Sequence, residues 1–250
     1  MKVYQKNADY SYTLGVFPTI QLLKSKPEII TQVYLSSMGE KNSGIPIIYE
    51  LCQKHQIHIE INDKTINKLS KKGNCFAIAV FKKYENHLED AHHVILVNPS
   101  DMGNMGTIIR TMLGFNYQNL AIIRPGVDVF DPKVIRASMG AIFDLNIEYF
   151  DTFEQYYQQF KHHDIYPLML KGAKNIHQIT PPATKLHSLV FGNESSGLPD
   201  VFLNYGQSVF IPHSNYIDSL NLSMALGITL MHFSKEQFKQ MTLLQFSNIE

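Results

Sequence analysis

The chain has 250 residues, a hydrophobic content of 44% and no formal net charge. That length allows one large domain or two small ones, and the neutral balance excludes a surface coated uniformly with phosphate-binding cations. No apolar run reaches the roughly 18 residues that span a bilayer, and the N-terminus lacks the apolar core of a signal peptide, so we expect a cytoplasmic protein with no membrane partner.

Residues 1–90 have the pattern of a small α/β unit in which helices and strands alternate. Apolar residues at helical spacing predict helices over 18–23, 45–55 and 66–69. Apolar runs and alternating patterns predict strands over 32–35, 57–61 and 75–81. The segment 82–93 is polar and charged, and we predict a linker there. The chain then divides into domains 1–90 and 91–250.

The second part also alternates strands with helices. Strands are predicted over 93–97, 120–124, 143–149, 166–170, 186–191 and 208–211. Helices are predicted from 104 onward and over 133–140, 153–160 and 221–246. This order is typical of a mainly parallel, doubly wound sheet with helices on both faces.

Cations are distributed unevenly along the chain. Residues 1–90 contain twelve lysines against nine acids, whereas residues 91–250 contain ten cations against thirteen acids. The lysine excess is equally compatible with chance. All three arginines, Arg110, Arg124 and Arg136, fall in one short segment. Guanidinium groups suit bidentate phosphate contacts, so this segment is a candidate phosphate site.

The cysteines and histidines give no sign of a metal site. Cys52 and Cys75 lie far apart, and we expect two buried free thiols. The eleven histidines include the pairs His92-His93 and His162-His163. They show neither an H-x-x-x-H nor an H-E-x-x-H pattern among carboxylates, so no metal is predicted.

A first polar motif runs from Asn104 through Gly106 to Arg110. Asn104 suits the N-cap of the helix that follows. On that helix, Arg110 lies with small residues on the side opposite the apolar stripe, which leaves room for another molecule. The stripe consists of Ile108, Ile109, Met112 and Leu113. The same pattern also fits a surface arginine on an amphipathic helix.

A stretch after the first motif, K-V-I-R-A-S-M-G-A at residues 133–141, combines a basic helix with a tight turn. Arg136 in this helix is a candidate contact for an RNA phosphate. A structural pairing of Arg136 with Asp131 or Asp144 is the competing interpretation.

A second motif, F-G-N-E-S-S-G-L at residues 191–198, follows an apolar strand. Gly192 at the C-terminal end of this strand allows a ligand to lie against the backbone, where open α/β sheets usually bind. Glu194 would otherwise be a solvated loop acid.

A third motif begins at Ile211 and continues in S-L-N-L-S at residues 219–223, which enter the last helix. Either Ser219 or Asn221 is expected to cap that helix, and the other then faces the pocket. The methionine-containing stripe over residues 224–231 indicates either core or a dimer interface.

Taken together and in this order, the motifs resemble those of the SpoU/TrmH branch of the SPOUT RNA methyltransferases. The resemblance covers residues 93–233, and residues 133–141 resemble the family's R-A-S-x-G-A stretch. Residues 15–23 resemble, more loosely, the start of the ribosomal-protein-like RNA-binding domain found in many members. The resemblance implies that domain over 1–90 and a catalytic domain over 91–250 that ends in a trefoil knot. It also implies a homodimer, S-adenosylmethionine as methyl donor, and 2'-O-methylation of ribose in RNA.

The resemblance also implies roles for particular residues. Cofactor binding falls to Gly192, Asn193, Glu194, Ile211, Leu220 and Asn221. Catalytic roles fall to Asn104, Arg110, Glu194, Ser219 and Asn221, and RNA contacts to Arg110 and Arg136. Arginine has a pKa above about 12, so we expect Arg110 to position substrate and stabilise charge before acting as a base. We favour rRNA as the substrate. A tRNA methyltransferase and a non-catalytic RNA-binding relative are the alternatives.

One stretch departs from the family pattern. The first motif usually begins D-P-x-N-x-G, whereas here Asn98-Pro99 is followed by Ser100-Asp101-Met102-Gly103 before Asn104. We expect this loop to be longer or shifted.

Overall fold

A computed structural model describes residues 2–70, 73–180 and 185–239. The first part forms a four-stranded sheet in the order β1-β4-β2-β3, with β4 antiparallel to both neighbours and β2 parallel to β3. Its strands are β1 (Tyr10–Tyr12), β2 (Ile30–Leu35), β3 (Ile59–Ile61) and β4 (Ala77–Lys82). Its helices are α1 (Val16–Ser25), α2 (Gly44–His55) and α3 (Asp63–Leu69). Strand β1 was not predicted, because three residues are too few to show an alternating pattern.

The second part forms a five-stranded sheet in the order β7-β6-β5-β10-β8, in which every pair is parallel. Its strands are β5 (His93–Val97), β6 (Asn119–Ile123), β7 (Asn146–Phe150), β8 (Asp164–Pro167) and β10 (His187–Phe191). Two short strands, β9 (Lys174–Asn175) and β11 (Val209–Phe210), pair with each other. The helices are α4 (Met102–Gly114), α5 (Pro132–Ala137), α6 (Phe153–Gln159) and α7 (Leu222–Phe238).

Helices cover both faces of this parallel sheet. Along β5, Val94 and Leu96 belong to the apolar cluster that contains the buried faces of α4 and α7. Their neighbours Ile95 and Val97 belong to the cluster around Tyr156 of α6. Successive strand residues point to opposite faces, so each face of the sheet has its own core. The predicted mainly parallel sheet is confirmed.

Several predicted boundaries differ from the structure, among them the starts of α4 and β7. Helix α4 begins at Met102 rather than at Asn104, because Asp101 is its cap and accepts a hydrogen bond from the Asn104 backbone N–H at 2.7 Å. Strand β7 begins later than predicted, because Ala141–Asp144 form a turn of 3₁₀ helix. Helix α7 ends at Phe238, and the predicted extension to 246 lies outside the described residues.

The first and second parts contact each other through a shared apolar cluster and several polar contacts. Phe81 of β4 meets Phe143 edge to face, with ring centroids 5.3 Å apart. The Asp144 carboxylate accepts hydrogen bonds from Gln21 at 2.5 Å and Ser25 at 2.6 Å. The boundary between domains near residue 90 stays a prediction.

Two further expectations concern the whole chain. Cys52 and Cys75 are buried free thiols, as predicted. Among the residues that the structure describes, no helix is both long enough and apolar enough to cross a bilayer.

Candidate functional site

The loops that follow β5 and β10 leave the same edge of the parallel sheet. The two strands are neighbours, with Phe191 opposite Leu96, so their C-terminal ends lie side by side. Asn193 joins the loops, since its Nδ2 donates to the Asn98 carbonyl at 2.8 Å. Its Oδ1 accepts from the Ser195 N–H at 2.9 Å and so closes the second loop on itself. This edge is where open parallel sheets usually bind ligands.

Glu194 anchors the second motif to the first. Its carboxylate accepts hydrogen bonds from the Ser100 N–H at 3.2 Å, the Ser100 hydroxyl at 2.9 Å and the Asp101 N–H at 3.2 Å. Partial burial tends to raise the pKa of Glu194, but the hydrogen bonds from its own N–H, Asp101 and Ser100 outweigh it and lower the pKa below the usual value. Glu194 is therefore an ionised anchor between loops rather than a freely solvated acid.

Asn104 connects Glu194 to the third motif. Its Nδ2 donates to Glu194 Oε1 at 3.5 Å, and its Oδ1 accepts from Asn221 Nδ2 at 3.1 Å. Asn221 Oδ1 in turn accepts from the Ser223 N–H at 2.9 Å and caps α7. Asn221 is thus the predicted cap of the last helix, whereas Asn104 is not a cap but a link. All three motifs meet in one chain of side-chain hydrogen bonds.

The loop over residues 98–103 is held by the side chains of two of its own residues. Four residues separate Pro99 from Asn104, where D-P-x-N has one, and a longer or shifted loop stays a prediction. Asp101 serves as the cap, a role that asparagine fills equally well. Asn98 has φ 53°, a left-handed conformation that asparagine tolerates, and its side chain donates to the Arg124 carbonyl at 2.8 Å.

Gly192 allows the second loop to close. A Cβ at this position would lie 2.2 to 2.5 Å from backbone atoms of Gly197 and Leu198. The close approach at Gly192 is thus made by the chain itself. Gly106 similarly permits close packing of α4 on α5, since a Cβ there would lie 2.3 Å from Ala137 Cβ.

A cleft of about 150 Å³ lies between the segment after β8, strand β11 and the third motif. Its lining contains three of the predicted residues, Ile211, Ser219 and Leu220, so Ser219 faces the cleft while Asn221 caps. Ligand pockets usually measure about 300–1,000 Å³, so this cleft accommodates part of a nucleoside-sized ligand. The other predicted cofactor residues lie outside its lining, at Gly192, Asn193, Glu194 and Asn221.

The three arginines have different surroundings. Arg124 pairs with Asp151 at 3.2 Å and stacks on Tyr149 at 4.7 Å. Arg136 donates to Asn74 at 3.0 Å. Arg110 is exposed on α4 and has no ion pair or hydrogen bond with any residue of the described ranges. Of the three, Arg110 is the one whose guanidinium has no polar partner among the described residues.

The predicted pairing of Arg136 with Asp131 or Asp144 is wrong, because both carboxylates bind other residues. Asp131 caps α5 by accepting from the Lys133 N–H at 2.8 Å, and Asp144 binds residues of α1. Arg136 instead joins the two sheets, and an RNA contact there remains a prediction.

Some residues of the site were missed in the sequence. Ser100 and Asp101 supply the donors that hold Glu194, whereas in the sequence residues 98–103 showed only a departure from the family pattern. A run of helix-capping residues at the end of an apolar strand was the available signal. A larger cleft of about 320 Å³ lies beside β7, with Tyr84 and Arg124 of the candidate phosphate segment in its lining, and contains none of the residues to which the resemblance assigns a role.

Comparison with known proteins gives consistent relatives. The model of the SpoU rRNA Methylase family matches residues 91–231. A protein of Geobacillus stearothermophilus named "Putative tRNA (cytidine(34)-2'-O)-methyltransferase" is 30% identical over 152 residues, covering 59% of this chain and 96% of that protein. The 23S rRNA (adenosine(1067)-2'-O)-methyltransferase of Streptomyces azureus is 26% identical over 209 residues, covering 79% of this chain and 77% of that protein.

Two solved structures share the fold over nearly the whole chain. The AdoMet-bound rRNA methyltransferase from Sinorhizobium meliloti has a TM-score of 0.77 at 22% identity and covers 94% of this chain and 89% of its own. The SpoU methyltransferase AviRb from Streptomyces viridochromogenes, in complex with AdoMet, has a TM-score of 0.79 at 19% identity and covers 92% and 91%.

Proposed function

The chain belongs to the SpoU rRNA Methylase family, and on that premise we propose that it transfers a methyl group from S-adenosylmethionine to a ribose 2'-oxygen in RNA. One observation carries the proposal. Hydrogen bonds from Glu194 through Asn104 to Asn221 join all three motifs at the edge of a parallel sheet where ligands usually bind. Asn104 lies on the same helix as Arg110, which is exposed and has no polar partner among the described residues.

The cleft beside the third motif fits the methyl donor in chemistry. Leu168, Val209 and Leu220 give it apolar walls for an adenine ring, and Ser219 adds a polar group. We propose that Ile211 and Leu220 bind the donor there, and that Gly192, Asn193, Glu194 and Asn221 complete the pocket. When bound, S-adenosylmethionine supplies an electrophilic methyl group on a sulfonium.

The other requirements of the reaction depend on this protein's own side chains. The 2'-oxygen must be held in line with the methyl group, and its proton must leave. We propose that Arg110 holds the target phosphate and ribose, and that Asn104, Ser219 and Asn221 orient the arginine or the 2'-hydroxyl. A guanidinium has five N–H donors and no acceptor, so the contribution of Arg110 is positioning and charge stabilisation.

We favour rRNA as the substrate. The 209-residue match to the Streptomyces azureus rRNA enzyme exceeds the length of residues 91–250 and so includes part of residues 1–90. The match to the tRNA protein covers 59% of the chain. A tRNA methyltransferase is the second candidate, because identity to that protein is higher, at 30%.

We propose further that residues 1–90 bind the RNA, that the C-terminal segment forms a trefoil knot, and that the enzyme is a cytoplasmic homodimer. The lysine excess of residues 1–90 supports the first point. Met224, Ile228 and Met231 are 60%, 41% and 67% exposed on α7. They therefore lie outside the core, as expected of a dimer interface.

Methylation of RNA from a strain that lacks the protein tests the function. We expect the purified chain to transfer tritiated methyl groups to rRNA, at a ribose that can then be mapped. Label in tRNA alone would favour the second candidate. No label in either RNA would favour a non-catalytic relative.

Ligand binding should also raise thermal stability. At about 100 times its Kd, S-adenosylhomocysteine adds about 2.7 kcal/mol to the stability of the folded state. For a chain of this size that corresponds to roughly 5–10 °C in Tm. A melting scan with NAD at the same concentration is the control, and an equal shift with NAD would contradict the proposed pocket.

A further inference from the structure

The edge of the parallel sheet opposite the candidate site holds a line of buried polar side chains. His93 Nδ1 lies 2.7 Å from the Tyr156 hydroxyl, which lies 2.7 Å from the Ser188 hydroxyl. Ser188 Oγ in turn lies 2.7 Å from His163 Nδ1. In each of these hydrogen bonds, one or both of the side chains can donate. Which atom donates along the whole line is therefore decided only when the role of one end group is known.

The backbone fixes that end. His93 Nε2 lies 2.7 Å from the Glu89 carbonyl, which can only accept, so Nε2 carries the proton. In a neutral imidazole the other ring nitrogen accepts, so His93 Nδ1 accepts from Tyr156. The Tyr156 oxygen then accepts from Ser188, and the Ser188 oxygen accepts from His163 Nδ1–H. The line therefore sets the tautomer of His163 and leaves its Nε2 as a bare lone pair.

That lone pair is buried and has no hydrogen-bond partner among the residues that the structure describes. The His163 side chain is 0% exposed, and its Nε2 lies 3.9 Å from Asp90 Oδ1. The same oxygen is 2.6 Å from His162 Nε2. Two imidazoles and a carboxylate thus place one donor atom each within 4.8 Å of one another.

We propose that Asp90, His162 and His163 bind one divalent transition-metal ion of the zinc type. Imidazole nitrogens select such ions over magnesium and calcium, and a ligating histidine usually donates its other N–H to a fixed acceptor, as His163 does to Ser188. A fourth position remains for water.

The geometry needs only a small adjustment. Tetrahedral bonds of about 2.0–2.1 Å put donor atoms about 3.3 Å apart, between the observed 2.6 and 3.9 Å. Asp90 and His162 have side chains 73% and 55% exposed, so they can shift while His163 stays fixed. The ion would tie the linker at Asp90 to the turn between α6 and β8. No sequence pattern revealed the site, because Asp90 lies 72 residues before His162.

Calorimetric titration of the full chain, without a polyhistidine tag and after chelator treatment, tests the site with Zn²⁺. We expect one ion per chain, and a Co²⁺-loaded sample should show the visible absorption of tetrahedral cobalt. Asp90→Ala and His162→Ala change exposed side chains and should each weaken binding at least tenfold. Ser188→Ala keeps all three ligands but removes the hydrogen bond that fixes the tautomer of His163, and should weaken binding about 10- to 100-fold.

The matched control is His87→Ala. His87 lies 3.3 Å from Glu148 in another histidine–carboxylate pair, and the structure describes no third ligand for it. Zn²⁺ affinity should not change in this variant. Absence of stoichiometric binding, or unchanged affinity in Asp90→Ala and His162→Ala, would overturn the proposal. Unchanged affinity in folded Ser188→Ala would overturn the argument from the tautomer.

Discussion

Replacing Arg110 with alanine is expected to abolish methyl transfer while leaving the affinity for S-adenosylmethionine within a few-fold of the parent. The side chain is exposed and makes no polar contact with the described residues, so its loss disturbs neither the fold nor the motif contacts. Removing a group that stabilises charge in a transition state typically costs about 10²–10³ in rate. A tritiated-methyl assay measures the first effect, and calorimetry with the methyl donor measures the second.

Two further variants make this test specific. Arg110→Lys keeps the charge but loses the planar fork, so we expect it to recover only a small part of the activity. Lys185→Ala removes a cation that pairs with Asp164 at the opposite edge of the sheet, and it should retain full activity. Equal activity of Arg110→Ala and the parent would refute the proposed role.

The placement of Arg110 was predictable because a helix fixes which residues share a face. The spacing of Ile108, Ile109 and Met112 predicted a buried stripe, and all three are fully buried while Arg110 is exposed. The five core strands of the parallel sheet were predictable for a similar reason, since their apolar runs are bounded by turn residues. Local periodicity is therefore enough to give the elements and the orientation of their side chains.

The contacts between motifs were not predictable in the same way. Ser100 and Glu194 are 94 residues apart, and they meet only because β5 and β10 are neighbours in the sheet. Strand order is a property of the whole fold, which a single motif does not carry. The same limit applies to β9 and β11, whose two residues each are too few to show a pattern.

Replacing Glu194 with glutamine is expected to loosen the joined motifs and to lower the affinity for S-adenosylmethionine at least tenfold, or about 1.4 kcal/mol. The two carboxylate oxygens accept from Ser100, Asp101 and Asn104, and glutamine turns one of them into a donor. Backbone N–H groups would then face an amide N–H. Hydrogen bonds to a charged group contribute about 1.5–3 kcal/mol each, and partial exposure here reduces the expected loss of stability to about 1–2 kcal/mol.

The loss of stability in Glu194→Gln should depend on pH in one direction. The folded-state pKa of Glu194 lies below its ordinary value of 4.5, so the carboxylate stabilises the protein above that pH. Its contribution disappears as the pH falls through the folded-state pKa. The difference in unfolding free energy between the parent and Glu194→Gln, measured in urea, should therefore be full at pH 7 and shrink below about pH 4.5.

Glu154→Gln is the matched control for Glu194→Gln. Glu154 also accepts two side-chain hydrogen bonds, from Gln158 and from Tyr205, but it is exposed and lies on α6, away from the motifs. Its replacement should leave both the free energy of unfolding and the cofactor affinity close to those of the parent. If Glu194→Gln behaved like this control, the contacts of Asn193 with Asn98 and of Asn221 with Asn104 would be enough to hold the three motifs together. The hydrogen bonds from Glu194 through Asn104 to Asn221 would then accompany the packing of the loops without contributing to the pocket.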